Sequence, residues 1–339
     1  MRLVFIGFGV VGQGLAELLL ERREQLAGEY GLTWEVAGIA DTNKGSCLSG
    51  GGIDLEDALA AVARGDSLSS LPEIGTRMDA LTMIREAEAD VVLEATYTDI
   101  ATGEPATTHL RAALDAGRHV VTTNKGPLAL HYHELAALAR ERGLHFLFEG
   151  TVMSGTPLLN LRRECLAGSG ISAVQGILNG TTNFILTRME EGLSYEAALA
   201  EAQKLGYAEA VPDADVLGWD ALAKVTILAN VVFGAELRPA DTPCEGITAI
   251  TAAAIAEARE RGQRYKLIGS VRREGGVLRT EVAPRLLPLS DPLAAVSGAT
   301  NAVTVTTAAL GDVTVVGPGA GKKATGYAML NDLLHIGRR

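Results

Sequence analysis

The sequence predicts an α/β protein of two domains: a doubly wound parallel sheet over residues 1–150, then an α+β domain with a mixed or antiparallel sheet over 151–320. Three observations carry this expectation. The chain has 339 residues, more than one ordinary hydrophobic core holds. Its first part alternates short runs that are apolar throughout with helical patterns, as strands buried on both faces require. After Gly150 long helical patterns mix instead with pairs of strand-like runs joined by turn residues.

Taken in order, "RLVFI" (2–6) is the first strand, followed by a helix over 10–24 and the strand "WEVAGIA" (34–40). Next come the strand "ADVVLEA" (89–95), a helix over 105–116, the strand "RHVVTT" (118–123), a helix over 132–142 and the strand "LHFLFEG" (144–150). In the second part, helical patterns cover 195–205, 219–235 and 247–262. "YKLIGSVRREGGVLRTEVAP" reads as two strands around a Gly275-Gly276 turn, and "NAVTVTTAALGDVTVVGPGAG" as a second pair. The last helix, over 323–336, is expected to pack back with the rest of segment 321–339 on the first domain.

Composition narrows the function classes. A formal net charge of -11 argues against a nucleic-acid partner, since phosphate binding wants a basic face. Cys47, Cys165 and Cys244 are far apart, odd in number and without metal spacing, which suits a reducing compartment and no disulfide framework. The N-terminal apolar run is broken by glycines and continues into a charged helix end, unlike a signal peptide. The longest apolar run, 225–235, is too short to cross a bilayer. A cytoplasmic protein with a small-molecule substrate and no membrane partner is expected.

"VFIGFGVVGQG" sets Gly7, Gly9 and Gly12 in G-x-G-x-x-G spacing directly after a strand and at the start of a helix. The first glycine permits the tight turn, the second lets backbone approach a pyrophosphate, and the third lets helix pack on strand. Helix-terminal amides then bind the phosphates. The expected cofactor is therefore NAD or NADP on a Rossmann-like domain, held by Gly7, Phe8, Gly9, Val11 and Gly12. Asp41, closing "WEVAGIA", stands where an acidic residue bonds the ribose hydroxyls, and it favours NAD because it would repel a 2′-phosphate. Lys44, three residues on, pulls toward NADP, so the sequence leaves that choice open. "GPGAGKK" (317–323) is no phosphate loop of the ATP-binding kind, lacking the upstream glycine and the Ser or Thr for magnesium.

The polar segments of chemical interest are "TTNKGPLA", "EGTVMSGTP", "LNGTTNFIL" and "GYAEAVPDADVLGWDALAK". Taken singly, each has an ordinary reading as a turn, a cap or a solvated face. Asp220 and Lys224 are different: they lie four apart, on one face of a helix that is apolar all round. Buried charges are costly unless paired or needed, so the pair is either a structural lock or part of a site. Hydride transfer to or from a carbon centre needs a partner that moves a proton on oxygen, and a lysine with carboxylates around it suits a substrate bearing an amine and a hydroxyl.

At this point the chain resembles the homoserine dehydrogenase family, through "GFGVVGQG", "TNKGPLA", "EGTVMSGTP", "LNGTTNFIL", "GYAEAVPDADVLGWDALAK" and "GPGAG" in family order over nearly the whole length. The most specific part matches the family signature through Ala202, Gly206, Asp215, Gly218, Asp220 and Lys224. The resemblance implies NAD(P)-dependent interconversion of L-homoserine and L-aspartate 4-semialdehyde, a step of threonine, methionine and isoleucine biosynthesis, by a homodimer. It implies Lys224 as proton donor to the aldehyde oxygen, with Asp220, and Lys125 as a lysine reaching cofactor and substrate. Glu209 and Asp220, with Asp215, Gly180 and Thr181 beside them, resemble the substrate ligands; Thr96 and Gly321 resemble cofactor contacts. The loop starting at Glu149 is similar to one that binds a monovalent cation such as Na+, mainly through main-chain carbonyls of Val152, Ser154 and Thr156.

The chain departs from the family at Val211, where a small polar or acidic residue is usual before proline, and at Lys322 and Lys323, which follow the last glycine loop. Those two lysines are expected either to contact cofactor phosphates or to crowd the site. The chain ends at Arg339, so neither a regulatory domain nor threonine feedback is expected. Two other readings stand beside it: a dehydrogenase of another amino-acid semialdehyde or hydroxy acid, and a cofactor-sensing protein without turnover, against which Lys125, Glu209, Asp220 and Lys224 speak, since that reading predicts loss of catalytic groups.

Overall fold

The computed structural model describes residues 1–71 and 78–338. Its contacts divide into two compact units, Met1–Gly155 with Gly321–Arg339, and Thr156–Ala320; Arg339 itself lies outside the described residues.

The first unit holds six strands: β1 (Arg2–Ile6), β2 (Glu35–Asp41), β3 (Gly45–Leu48), β4 (Val91–Glu94), β5 (His119–Thr122) and β6 (Phe146–Leu147). They lie in the order β3-β2-β1-β4-β5-β6, and every pair is parallel except β2 with β3. The sequence pattern does not predict β3. It arises because residues 42–44 turn at once into Gly45, and so short a link joins only antiparallel neighbours. Strand order reverses between β1 and β4, and doubly wound sheets bind ligands beyond the carboxyl ends of the strands at such a point.

Alternation along β1 explains why its whole run is apolar. Leu3 and Phe5 join one core cluster with Leu15, Leu19, Leu330 and Leu333; Val4 and Ile6 join another with Leu110, Leu114 and Leu135. Both faces are thus covered, and each such side chain contributes about 1.5–3 kcal/mol by leaving water. The helix expected over 10–24 ends at Glu21, and a separate helix, Arg23–Tyr30, follows. The C-terminal helix, Lys322–Gly337, packs on Val10–Glu21 in the same unit. Glycines set that approach: a Cβ on Gly14 would lie 2.3 Å from the Lys322 carbonyl oxygen, and one on Gly326 would lie 2.6 Å from backbone of Gly14.

The second unit is built on β7 (Ile171–Ile177), β8 (Gln263–Glu274), β9 (Val277–Pro288), β10 (Thr300–Thr307) and β11 (Gly311–Pro318). Their order is β11-β10-β7-β8-β9, antiparallel throughout. Helices Gly180–Glu190, Trp219–Phe233 and Ala252–Glu260 pack against the sheet. The last is shorter than the 247–262 pattern because the Thr251 hydroxyl accepts the Ala254 amide at 3.1 Å and so starts the helix there. Gly269 faces these helices, its Cβ position 2.6 Å from Val225 Cγ2. Its neighbour Ser270 therefore points the other way, in a row with Gln175 and Glu281 across three strands. Among the described residues no helix is long and apolar enough to cross a membrane.

Candidate active site

In the first unit the candidate residues gather at the carboxyl edge of the sheet. β1 runs into Gly7, whose φ is +91° and whose Cβ would lie 2.5 Å from the Ala95 carbonyl oxygen. Only glycine lets the two strand-end loops touch there. A Cβ on Gly12 would lie 2.7 Å from the Gly7 oxygen, so helix and loop are equally close. Gly9 differs: nothing lies within 4 Å of its Cβ position, and the helix it begins has no side-chain cap. That leaves space and first-turn N–H groups for phosphate oxygens, which fits a dinucleotide. Val11, half-buried, lies in this first turn.

Asp41 ends β2 with its carboxylate fixed by backbone. Oδ2 accepts the Phe8 amide at 2.8 Å, and Oδ1 accepts the amides of Asn43 at 2.9 Å and Lys44 at 3.0 Å. Lys44 Nζ stands 3.7 Å from Oδ2, so its charge is already answered. A carboxylate offers about four acceptor sites, which leaves one for a ribose hydroxyl. Phe8 enters only through its main chain: its amide goes to Asp41, and its ring is buried edge-on against Phe5 at 5.6 Å.

Thr96 follows β4, and Lys125 opens the short helix Lys125–Leu130 after β5; both are half-buried. Gly321 precedes the C-terminal helix with a φ of +128°. Lys322 and Lys323 neither crowd this loop nor stand ready for phosphate. Their ammonium groups pair with Glu17 at 2.5 Å and Glu21 at 2.6 Å on the Val10–Glu21 helix, one and two turns beyond the glycine loop. Glu149 is buried and its amide donates to Asp332 at 3.0 Å; Val152 is buried in the turn Gly150–Met153, and Ser154 follows at φ +52°. Thr156 belongs to the other unit, where its hydroxyl donates to the Pro318 carbonyl at 3.0 Å. Among the described residues no group of three or more His, Cys, Asp or Glu is placed to hold a metal.

In the second unit the pair in the apolar helix is formed. Lys224 Nζ donates to Asp220 Oδ2 at 2.7 Å and to the Leu178 carbonyl at 2.6 Å. Their side chains are 8% and 17% exposed, too dry for an ordinary surface pair. Gly218, at φ +85°, starts the helix and permits this placement. Asn179 organises the carboxylates: its Nδ2 donates to Asp215 Oδ1 at 2.6 Å and to Asp220 Oδ2 at 3.0 Å. Its Oδ1 caps the Gly180–Glu190 helix by accepting the Thr182 amide at 2.9 Å. Burial pushes the Asp215 carboxyl above its ordinary range; Asn179, Lys224 and Thr181 pull it down and Asp220 pushes it further up.

Gly180 sits against the Ala299 carbonyl, where a Cβ would come within 2.6 Å, and Thr181 donates to the Tyr207 carbonyl at 2.7 Å. Glu209 is exposed, and among the described residues no hydrogen bond ties its side chain to the Asp215, Asp220 and Lys224 group; its carbonyl accepts from Gln203 at 3.1 Å. Val211 is 72% exposed, so that departure from the family pattern lies on the surface. The residue that sequence reasoning gave no role is Asn179. Its signal was an asparagine at a helix start, which announces the cap and hides the second use of the amide.

The chain matches two family models, "Homoserine dehydrogenase, NAD binding domain" over residues 7–149 and "Homoserine dehydrogenase" over 157–334. It is 47% identical over 338 residues to an NAD(+)-dependent homoserine dehydrogenase of Pseudomonas canavaninivorans, covering 99% of this chain and 96% of that one. It is 41% identical to the homoserine dehydrogenase of Methanocaldococcus jannaschii, covering 99% and 98%. Among solved structures, a putative homoserine dehydrogenase from Archaeoglobus fulgidus superposes with a TM-score of 0.89 at 39% identity, covering 99% of both chains. A hyperthermophilic archaeal homoserine dehydrogenase in complex with NADPH superposes with a TM-score of 0.83 at 31% identity, covering 98% and 96%.

Proposed function

The chain belongs to the homoserine dehydrogenase family, and from that premise we propose how its residues divide the NAD(P)-dependent interconversion of L-homoserine and L-aspartate 4-semialdehyde. Lys224 handles the proton on the substrate oxygen. One observation carries this: an ammonium has three N–H groups, and Lys224 commits two of them, to Asp220 and to the Leu178 carbonyl. The third is left for the oxygen that becomes a hydroxyl on reduction, and in the oxidative direction the same nitrogen takes the proton back. Asp215 and Asp220, held apart by the Asn179 amide, face the substrate ammonium, with Glu209, Gly180 and Thr181 completing recognition. In the first unit Thr96 and Lys125 serve the nicotinamide end, and Gly321 lies near it. A nicotinamide bound there would supply the hydride chemistry of the interconversion.

We read the cofactor preference as NAD. Asp41 is fixed as an acceptor by backbone amides, and Lys44 is drawn to it rather than free to meet a 2′-phosphate. The name of the Pseudomonas relative points the same way, whereas a more distant relative is solved with NADPH. Initial rates of L-homoserine oxidation, followed at the reduced-nicotinamide absorbance, test this. NAD should exceed NADP about tenfold or more in kcat/KM, and Asp41→Asn should narrow the gap. Equal or reversed preference in the wild type overturns the reading.

We also propose a homodimer through the helix-free face of the second unit's sheet. The row of Gln175, Ser270 and Glu281 across three strands and the hollow of about 700 Å³ beside Arg272 and Arg285 support it, as a surface on which the sheet of a second copy can pack face to face. Light scattering should give twice the 35.4 kDa of one chain; a monomer at micromolar concentration rules the dimer out.

A further inference from the structure

Glu94 is the last residue of β4 and has no exposed surface. A carboxyl group is costly to bury unless its oxygens are hydrogen-bonded. Here both are. Oε1 accepts the Thr96 amide at 3.0 Å and, over a short bond, the Thr96 hydroxyl; Oε2 accepts the Thr122 hydroxyl at 2.8 Å. Glu94 and Thr122 are partners in register at the carboxyl ends of β4 and β5. No arginine or lysine pairs with the group among the described residues, and His109 Nδ1 lies 3.9 Å from Oε1.

The bonds continue into the loops that hold the candidate site. Thr122 Oγ1 accepts the Asn124 amide at 3.0 Å. Asn124 Oδ1 accepts the Gly126 amide at 3.2 Å and so starts the helix whose first residue is Lys125. Asn124 Nδ2 donates to the carbonyls of Tyr97 at 2.9 Å and Thr96 at 3.4 Å, which closes a ring from Glu94 through both loops and back. The Thr96 loop also abuts the glycine loop: a Cβ on Gly7 would lie 2.8 Å from the Thr96 nitrogen. One carboxylate thus sets the loop after β4 and, through Thr122 and Asn124, the loop after β5.

We propose that Glu94 is a positioning residue for the reaction: buried beneath the carboxyl edge of the sheet, it holds Thr96 and Lys125 in their working places without itself touching cofactor or substrate. This rests on the assignment of Thr96 and Lys125 to the nicotinamide end. Small displacements of such groups are costly, because a shift of about 1 Å lowers rate about a hundredfold. The sequence hides the role. "ADVVLEATYT" reads as a buried strand with one acid at its end, and the partners Thr122 and Asn124 are about thirty residues away.

Direct removal of Glu94 leaves the Thr96 amide and the Thr122 hydroxyl unpaired, so the network is better tested at Thr122. Thr122→Val keeps shape and loses the hydroxyl, Thr122→Ser keeps the hydroxyl, and both are made with and without Lys125→Ala. The readouts are kcat with L-homoserine, NADH affinity from the bound cofactor's fluorescence, and the melting midpoint. Thr122→Val should lower kcat about 10- to 100-fold while NADH affinity stays within about threefold, and Thr122→Ser should restore most of the rate. In the Lys125→Ala background, Val should cost nothing further, because the position it spoils is already vacant.

A Thr122→Val enzyme with wild-type kcat overturns the positioning role while leaving Lys125 in place. So does a loss that multiplies with that of Lys125→Ala, since the defect then lies in the fold at large. Wild-type kcat in Lys125→Ala removes the assignment of Lys125 itself, and the positioning role with it. Should Thr122→Val not fold, Asn124→Ala is held to the same outcomes, since it loses both the helix cap before Lys125 and the two amide bonds.

Discussion

Burial pushes the Asp215 carboxyl above the usual carboxylate range, and Asp220 adds to that, while the Asn179 amide, Lys224 and Thr181 oppose it. The consequence for stability has a definite sign. In the unfolded chain Asp215 titrates near 3.8; in the folded protein it holds its proton to higher pH. Through that window stability falls as pH rises, because the native state binds the extra proton. At neutral pH the ionised group is a standing cost, which its proposed role toward the substrate ammonium explains. Asp215→Asn should therefore melt above the wild type at pH 7, with the gap closing as pH falls toward 3.8. The same variant should bind homoserine less well. A variant that melts below the wild type by the same amount at every pH contradicts the burial argument.

Individual residues were legible where their partner is local. Asp220 and Lys224 are four apart on one helix, and spacing alone brings them together. Asn179 reaches Asp215 and Asp220 across 36 and 41 residues, and nothing in a single sequence reports such a meeting. Lys266 is another case. It sits within β8, has no exposed surface, and donates to Asn183 Oδ1 at 3.1 Å and the Val296 carbonyl at 2.8 Å. Burial pushes its ammonium below the ordinary lysine range, opposed by Glu190. The Val296 carbonyl it meets comes thirty residues later, and the sequence alone does not report that meeting.

At the scale of elements, the fully apolar strands and the glycine loop were legible because they obey one period and one local geometry. Helix ends were less so. The 10–24 pattern continues in helical character past Glu21, and the break at Arg22 leaves no glycine or proline as a mark. The antiparallel β3 is only four residues long, and its pairing comes from a tight turn rather than from hydrophobic periodicity. Short helices capped by one side chain, such as Lys125–Leu130 behind Asn124, are likewise too brief to show a period of 3.6. They matter here all the same, since that cap is what sets Lys125.

For the molecule as a whole, the change of grammar near Gly150 separates two architectures, and the residues proposed for the chemistry divide between them: the cofactor loop, Thr96 and Lys125 in the first unit, Asp215, Asp220 and Lys224 in the second. Lys322 and Lys323 show how the first unit absorbs a departure from the family pattern. Paired with Glu17 and Glu21, they tie the C-terminal helix to the first helix and leave the glycine loop clear. Turnover is therefore expected to be that of an unobstructed enzyme. The account stands or falls on Lys224, and the measurement is kcat for L-homoserine oxidation in Lys224→Met beside the wild type, with NADH affinity taken on the same samples. The prediction is a fall of about 10²- to 10⁴-fold in kcat with NADH affinity unchanged within about threefold. A Lys224→Met enzyme that turns over at the wild-type rate would contradict it and move the proton to another group.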